Sequence, residues 1–186
     1  MALKSTIHKA TVQLSDMDRH VYGEIPLTLA LHPSETEERL AMRVLAHALN
    51  HPGDDGHGPL VAAKGLSDAD EPDLWQKDLT EQILQWIEVG QPDDRRLARA
   101  CAKAERVVIY AYASSTPVWF AGLQNKITRL RNLSIWQIDA ATSQALAAKV
   151  NRAMQWQVTV QDGQVWVSDD QGTLELTPQP LWRGGD

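Results

Sequence analysis

The sequence predicts an α/β fold in which helices cover a mixed β-sheet. Residues 4–14 and 20–31 alternate apolar and polar side chains, which is the period of a half-buried strand. Residues 107–112 are apolar without interruption, as in a strand that is buried on both faces. Residues 35–50 and 92–104 instead repeat apolar side chains at the spacing of an amphipathic helix. Because strands and helices alternate along the chain, we expect both in one α/β domain.

The composition is that of an ordinary globular protein. The chain has 186 residues, of which 43% are hydrophobic and 23% charged, so disordered and low-complexity classes are excluded. The single cysteine, Cys101, excludes an internal disulfide framework, and we expect it in the core rather than as a nucleophile. No apolar run approaches the roughly 20 residues that cross a bilayer. Since the first residues also lack the order of a signal peptide, we expect a cytoplasmic protein with no membrane partner.

The N-terminal elements are predicted from their boundaries. The two alternating stretches flank residues 15–18, which predicts a long antiparallel hairpin. Ser34 and Glu37 have the spacing of a capping box, which predicts a helix that runs to about Asn50. The Gly- and Asp-rich residues 54–70 are predicted to form a loop that contains one short apolar run.

The centre of the chain repeats strands and helices, and the C-terminal part predicts a second hairpin. Residues 155–161 and 164–168 flank Asp162-Gly163, a dipeptide that is typical of two-residue hairpin turns. We expect a single domain over residues 1–178 and a loose tail over residues 179–186. The central elements are predicted, in order, as strands 73–79 and 83–89, helix 92–104, strand 107–112, strand 133–138 and helix 142–153.

The net charge of −6 is unevenly distributed. Residues 1–92 carry −8, residues 93–152 carry +6, and residues 153–186 carry −4. A basic central segment between acidic ends predicts a positive surface that a polyanion binds. The alternative is that helix surfaces have simply collected solvated arginines.

Three carboxylates lie where their charge requires compensation. Glu38 falls within the apolar arc of the first helix, where a carboxylate must be paired, protonated or bound to a cation, unless the first turn of the helix leaves it solvated. Asp73 opens one predicted strand and Glu88 nearly ends the next, so a tight hairpin makes them cross-strand neighbours. Asp73 shares its strand face with Trp75 and Lys77. Two adjacent carboxylates repel each other unless a cation lies between them, and magnesium prefers oxygen ligands.

These residues carry a resemblance to a known superfamily. Glu38 on a helix, Pro72-Asp73 on one strand and Glu88-Val89-Gly90 on the next resemble the αβββαβ core of the PD-(D/E)XK nucleases. Residues 71–75, 86–92 and 107–112 more specifically resemble the YaeQ family, over nearly the whole chain. The resemblance implies this nuclease-like core, with an added β-hairpin at each end.

The superfamily's chemistry implies a function for the acidic residues. Asp73 and Glu88 would hold Mg²⁺ or Mn²⁺, and Glu38 would order water bound to the metal. The expected reaction is metal-dependent hydrolysis of DNA or RNA phosphodiesters. Arg129 and Arg131 are candidates for binding backbone phosphates, and Trp119 or Trp182 for stacking on a base.

One position departs from the superfamily pattern. The lysine expected two residues after the acid is replaced by Gly90, although this lysine stabilises developing charge on phosphorus in the nucleases. The candidate substitutes are Gln91, Arg96, Arg99 and Lys103. If none of these serves, the alternative is a non-catalytic regulatory protein that binds nucleic acid or protein and retains the fold.

Overall fold

Residues 3–185 have a mixed α/β fold with two mixed sheets and four α-helices. The structure is a computed structural model that describes residues 3–185. The strands are β1 (Thr6–Asp16), β2 (Val21–Leu31), β3 (Leu60–Ala62), β4 (Leu74–Lys77), β5 (Ile83–Val89), β6 (Ala104–Ala111), β7 (Leu133–Gln137), β8 (Ala153–Gln161), β9 (Gln164–Asp169), β10 (Gly172–Leu176) and β11 (Gln179–Arg183). The helices are α1 (Glu37–Asn50), α2 (Asp94–Lys103), α3 (Thr116–Leu123) and α4 (Ala140–Ala147).

The chain divides into two compact units. Among the described residues, the first unit comprises residues 3–53 and 141–178, and the second comprises residues 54–140 and 179–185. The sequence-based expectation of a single domain over residues 1–178 stays a prediction.

The first unit contains a five-stranded sheet in the order β10-β9-β8-β1-β2. The predicted N-terminal hairpin is confirmed as the antiparallel pair β1–β2, and β8 joins β1 in parallel. The second predicted hairpin is confirmed as β8–β9. Its turn residues, Asp162 and Gly163, have φ of 52° and 76°, as a type I′ turn requires.

Helix α1 is buried on nearly all sides, and its predicted cap is wrong by two residues. The Thr36 side chain accepts a hydrogen bond from the Arg39 N–H at 3.1 Å. Ser34, the predicted cap, instead lies 2.7 Å from a ring nitrogen of His32. Both Ser34 and Thr36 are good N-cap residues, and the chain turns into the helix only after the second of them.

An arginine from the first hairpin closes the other end of α1. The Arg19 guanidinium donates to the carbonyl oxygens of Ala48 and His51, at 3.3 and 2.8 Å. Asp16 holds Arg19 at 2.6 Å. This cation satisfies carbonyls that a helix end leaves without intrahelical partners.

The second unit contains a six-stranded sheet in the order β11-β7-β6-β5-β4-β3. Strands β5, β6 and β7 are parallel, and the strands at both edges are antiparallel. Helices α2 and α3 cover one face, where Leu97 and Leu123 pack against a core that includes Trp86, Val107 and Ile135.

Three parts of the sequence prediction need correction. The helix predicted over residues 142–153 is α4, which ends at Ala147, and β8 already begins at Ala153. Helix α3 and the short strands β3 and β10 were not predicted. The C-terminal tail is not loose, because β11 pairs with β7 and the Gly184 N–H donates to the Leu133 oxygen at 2.7 Å.

None of the helices within residues 3–185 combines the length and hydrophobicity that crossing a membrane requires.

Truncation tests the contribution of β11. Leu181 and Trp182 pack against the core of the second unit, so removal of residues 179–186 exposes this apolar surface and the edge of β7. We expect the free energy of unfolding to fall by roughly 2–4 kcal/mol in urea denaturation. A chain that ends at Gly184 retains the strand and is the control. Equal stability of both truncated chains and the full chain would contradict the assignment.

Candidate functional site

The predicted acidic pair lies in the second unit, where β4 meets β5. The register pairs Leu74 with Ile87 and Trp75 with Trp86. Asp73 directly precedes Leu74, and its carboxylate accepts the N–H of Val89, the residue after Glu88, so both acids lie at this end of the β4–β5 pair. Asp73 is 3% exposed and Glu88 is 6% exposed. Both carboxyl groups are therefore buried, and each requires a compensating partner.

Arg96 on α2 is the partner of Glu88. The Arg96 Nε lies 2.9 and 2.8 Å from the two carboxylate oxygens of Glu88. The indole N–H of Trp86 donates to the first of these oxygens at 2.7 Å. Both oxygens of Glu88 thus accept hydrogen bonds, and the buried negative charge is compensated by a positive one.

The Arg96 side chain is held along its whole guanidinium group. One terminal nitrogen donates to the backbone oxygen of Ala69. The other donates to the backbone oxygen of Glu71 at 3.0 Å. Burial lowers the pKa of Arg96, but the hydrogen bond and charge of Glu88, with the charge of Asp73, outweigh burial and raise the pKa above its usual value. Arg96 therefore joins α2, β5 and the loop before β4 as a permanent cation.

The Asp73 side chain is held by a hydrogen bond from the backbone. One carboxylate oxygen accepts the Val89 N–H at 2.8 Å. The loop at Gly65 approaches the other oxygen closely, because a Cβ at this position would lie 2.6 Å from it. Gly65 also has φ of 50°, so both space and backbone conformation favour glycine here.

The other candidate substitutes for the missing lysine do not reach Glu88 through any observed contact. The Gln91 amide donates to the Ser115 hydroxyl at 2.9 Å and thereby joins the start of α3. The Lys103 Nζ lies 5.9 Å from the centre of the Trp86 ring. Arg99 is exposed on α2. Of the four, Arg96 is the residue that the structure places against the acidic pair.

Gly90 differs from a lysine position in backbone as well as in side chain. Its φ is 118°, a conformation that residues with a Cβ rarely adopt. Its N–H donates to the Tyr110 oxygen at 2.9 Å, which anchors this conformation to β6. A Cβ here would meet no atom within 4 Å, so the obstacle to a lysine is backbone strain and not space.

Glu38 belongs to the first unit, where it accepts a hydrogen bond from the Ser143 hydroxyl at 2.5 Å. Ser143 lies on α4 and is fully buried. This contact explains how a half-buried carboxylate is tolerated on α1. Participation of Glu38 in an acidic cluster stays a prediction.

The donor set does not fit the expected Mg²⁺ or Mn²⁺ ion. Such an ion takes about six oxygen ligands and favours negatively charged ones. The Arg96 guanidinium already compensates the charge of Glu88, and an Asp73 oxygen is engaged by backbone. Across residues 3–185, no group of three or more histidine, cysteine, aspartate or glutamate side chains is arranged to hold a metal.

The two predicted aromatic candidates make contacts within the second unit, and Trp75 is a further tryptophan with part of its side chain at the surface. Trp119 donates its indole N–H to the Pro92 oxygen at 3.0 Å, and Trp182 packs against the core. Trp75 is half-buried, and the Lys77 Nζ lies 4.0 Å from the centre of its ring. The period-two pattern of the sequence places Trp75 and Lys77 on one strand face with Asp73. This pattern is the sequence signal from which the contact between Lys77 and Trp75 can be predicted.

Comparison with known proteins identifies the family. The model of the YaeQ protein family matches residues 1–178. The chain belongs to the YaeQ family. The YaeQ protein of Escherichia coli (strain K12) is 41% identical over 177 residues, which cover 95% of each chain, and that of Salmonella typhi is 40% identical over the same length.

Two solved YaeQ structures have the same fold. The crystal structure of the YaeQ protein from Xanthomonas axonopodis pv. citri has a TM-score of 0.89 and 40% sequence identity, and the match covers 96% of this chain and 99% of that one. The crystal structure from Pseudomonas syringae has a TM-score of 0.90 and 39% identity, with 98% of each chain covered. The architecture of this chain is therefore that of the YaeQ family.

Removal of the arginine tests the ion pair. Arg96→Ala leaves the buried Glu88 carboxylate without its cation, so we expect the free energy of unfolding at pH 7 to fall by about 2–4 kcal/mol. Arg95→Ala, on the exposed side of the same helix, is the matched control and should change stability by less than about 0.5 kcal/mol. Urea denaturation of both variants measures the difference. Equal stabilities would show that the pair contributes nothing.

Alkylation tests the expectation that Cys101 is not a nucleophile. Burial raises the pKa of the Cys101 thiol to about 11, so the reactive thiolate is scarce at neutral pH. We expect iodoacetamide to modify the native protein slowly at pH 8 and faster as the pH rises towards 11. The denatured chain is the control and should react at the rate of an ordinary thiol. Rapid modification of the native protein at pH 7 would contradict this burial effect.

Proposed function

We propose that this protein is a non-catalytic nucleic-acid-binding protein that retains a PD-(D/E)XK nuclease-like fold. The carrying observation is the contact between Arg96 and both carboxylate oxygens of Glu88. A fixed guanidinium takes the place that a divalent cation would need to occupy. This contact favours a scaffold that binds nucleic acid over one that hydrolyses it.

The order of elements supports the nuclease-like part of the proposal. Helix α1 is followed by β3, β4 and β5, then α2 and β6, which corresponds to the αβββαβ order of the superfamily. Pro72-Asp73 directly precedes β4, and Glu88 lies near the end of β5. These positions match those of the superfamily's acids.

Arg96 is a poor substitute for the superfamily lysine. Stabilising charge on a phosphate requires N–H groups that point at the reacting atoms. All three nitrogens of Arg96 instead donate to Glu88 or to backbone oxygens. Moving Arg96 onto a phosphate would leave Glu88 buried without its cation, at a cost of several kcal/mol.

A basic surface supports nucleic acid as the partner. Residues 95–131 contain eight lysines and arginines and one acidic residue. Arg95, Arg99 and Lys103 are four residues apart on α2, so they form one exposed stripe with a rise of about 6 Å per step. Cations in such a row bind the phosphates of a strand and release its counterions.

The segment after α3 extends this surface along α2. Lys126 lies 4.0 Å from Asp94 at the start of α2, and Asn132 donates to the oxygens of Cys101 and Ala104 at its end, at 3.0 and 2.8 Å. The segment between these anchors therefore runs beside the helix. It carries the exposed residues Arg129 and Arg131, the two predicted phosphate ligands.

Charge reversal tests the binding proposal. Arg95→Glu combined with Arg99→Glu should weaken binding of a mixed-sequence oligonucleotide at least about tenfold and flatten its salt dependence. Lys4→Glu combined with Lys9→Glu alters the net charge equally at exposed positions in the first unit, so this control should retain most of the affinity. Fluorescence anisotropy over a salt series measures both. If the two double variants bind equally well, the α2 surface is not the binding site.

The metal-dependent nuclease is a second candidate, and the position of the buried Asp73 and Glu88 at one end of the β4–β5 pair favours it. An assay with purified protein, mixed DNA and RNA, and Mg²⁺ or Mn²⁺ separates the two candidates. We expect the native protein and Glu88→Ala to show the same background cleavage. Manganese-dependent cleavage that Glu88→Ala abolishes would overturn the proposal in favour of the nuclease. The cytoplasmic location expected from the sequence stays a prediction.

A further inference from the structure

We infer that the bound nucleic acid is single-stranded and that one of its bases stacks on Trp75. This inference rests on the proposed function, because it names the class of nucleic acid that the α2 surface binds. It depends on an arrangement of tryptophans and lysines beside that surface, all within the second unit.

Trp75 lies near the edge of the sheet with part of its side chain at the surface. Its register partners are Val61 on the edge strand β3 and Trp86 on β5. Val61 is 42% exposed, whereas Trp86 is 3% exposed. The Trp75 and Trp86 rings meet edge to face, with centres 6.2 Å apart and planes at 72°. Trp86 therefore supports Trp75 from the buried side.

Lysines flank this pair of tryptophans. The Lys77 Nζ lies 4.0 Å from the centre of the Trp75 ring, and the Lys103 Nζ lies 5.9 Å from the centre of the Trp86 ring. Lys103 is the last residue of the basic stripe on α2. An aromatic platform is thus bordered by cations on β4 and on α2.

Such an arrangement suits an unpaired base attached to a phosphate backbone. Stacking on an aromatic side chain is available to every base, and neighbouring cations bind the adjacent phosphates. A base would take the position of the Lys77 ammonium on the Trp75 ring, and Lys77 would pair with a phosphate instead. Bases within a duplex are already stacked and present only their edges and the backbone. The platform therefore favours a single strand.

One acidic residue opposes this exchange. Glu81 accepts from Lys77 at 3.3 Å and is 80% exposed. In the unbound protein it compensates Lys77, and it would repel an approaching phosphate. Its removal should strengthen binding of a single strand without altering the core, because its side chain is at the surface.

The experiment compares single-stranded oligothymidylate of roughly 12 nucleotides with a duplex of equal length. Fluorescence anisotropy of the full chain should show at least about tenfold tighter binding of the single strand. Trp75→Leu should lose about tenfold of that affinity while its duplex binding stays the same. Equal binding of both probes, with both still dependent on Arg95 and Arg99, would overturn this inference and leave the proposed function standing. Absence of binding to either probe would overturn both.

A matched tryptophan on the other face is the control. Trp136 is half-buried in the same sheet, and the Arg183 guanidinium lies 5.2 Å from its ring centre. Trp136 pairs with Tyr110, whereas its neighbour Ile135 belongs to the face that α2 covers. Trp136→Leu should leave single-strand binding unchanged. If it weakens binding as much as Trp75→Leu does, the effect reflects stability and the stacking site is wrong.

A second variant, Glu81→Gln, is expected to increase the affinity for a single strand. Glu81→Gln removes the charge that competes for Lys77, so we expect single-strand affinity to rise about twofold to fivefold at low salt. The same change in duplex affinity should be smaller, since the duplex does not displace Lys77 from Trp75. Unchanged single-strand affinity would contradict the role of Lys77.

Discussion

The arrangement of the candidate site depends on one interaction, the ion pair between Arg96 and the buried Glu88. It connects α2 to β5, and the two remaining guanidinium nitrogens connect both to the loop before β4. The same contact determines the chemistry, because the Arg96–Glu88 pair is neutral overall and both Glu88 oxygens already accept hydrogen bonds, which disfavours a metal ion there. Structure and function of this site therefore have one physical cause. A change that frees Glu88 for chemistry also removes the contact that holds the helix.

Local patterns in the sequence predicted much of the fold. Strand β5 was predicted with its exact limits, because its alternation is bounded by a turn and by a glycine. The Asp162-Gly163 turn was predicted because few residue types adopt its left-handed conformation. Strand β11 was missed because its stability comes from pairing with β7, a contact that no local pattern records. The cap of α1 was misplaced because Ser34 and Thr36 are chemically equivalent candidates.

The sequence predicted which residues form the candidate site better than it predicted the contacts between them. Pleat alternation predicted Asp73 beside Glu88, and helical periodicity included Arg96 among three possible cations. Which cation reaches Glu88 depends on how α2 packs on the sheet, and this is a tertiary property. The positive φ of Gly90 could not be predicted from the sequence either. This backbone conformation disfavours a lysine at position 90. From the sequence alone, Gly90 indicates only that a lysine side chain is absent.

The most direct test of the central claim is Mn²⁺ binding, measured by electron paramagnetic resonance with the native protein and Glu88→Gln. If Arg96 occupies the cation position, the two proteins bind Mn²⁺ equally weakly, because Glu88 offers no site to lose. Stoichiometric binding to the native protein that Glu88→Gln abolishes would show that the metal displaces Arg96. That result would contradict the account.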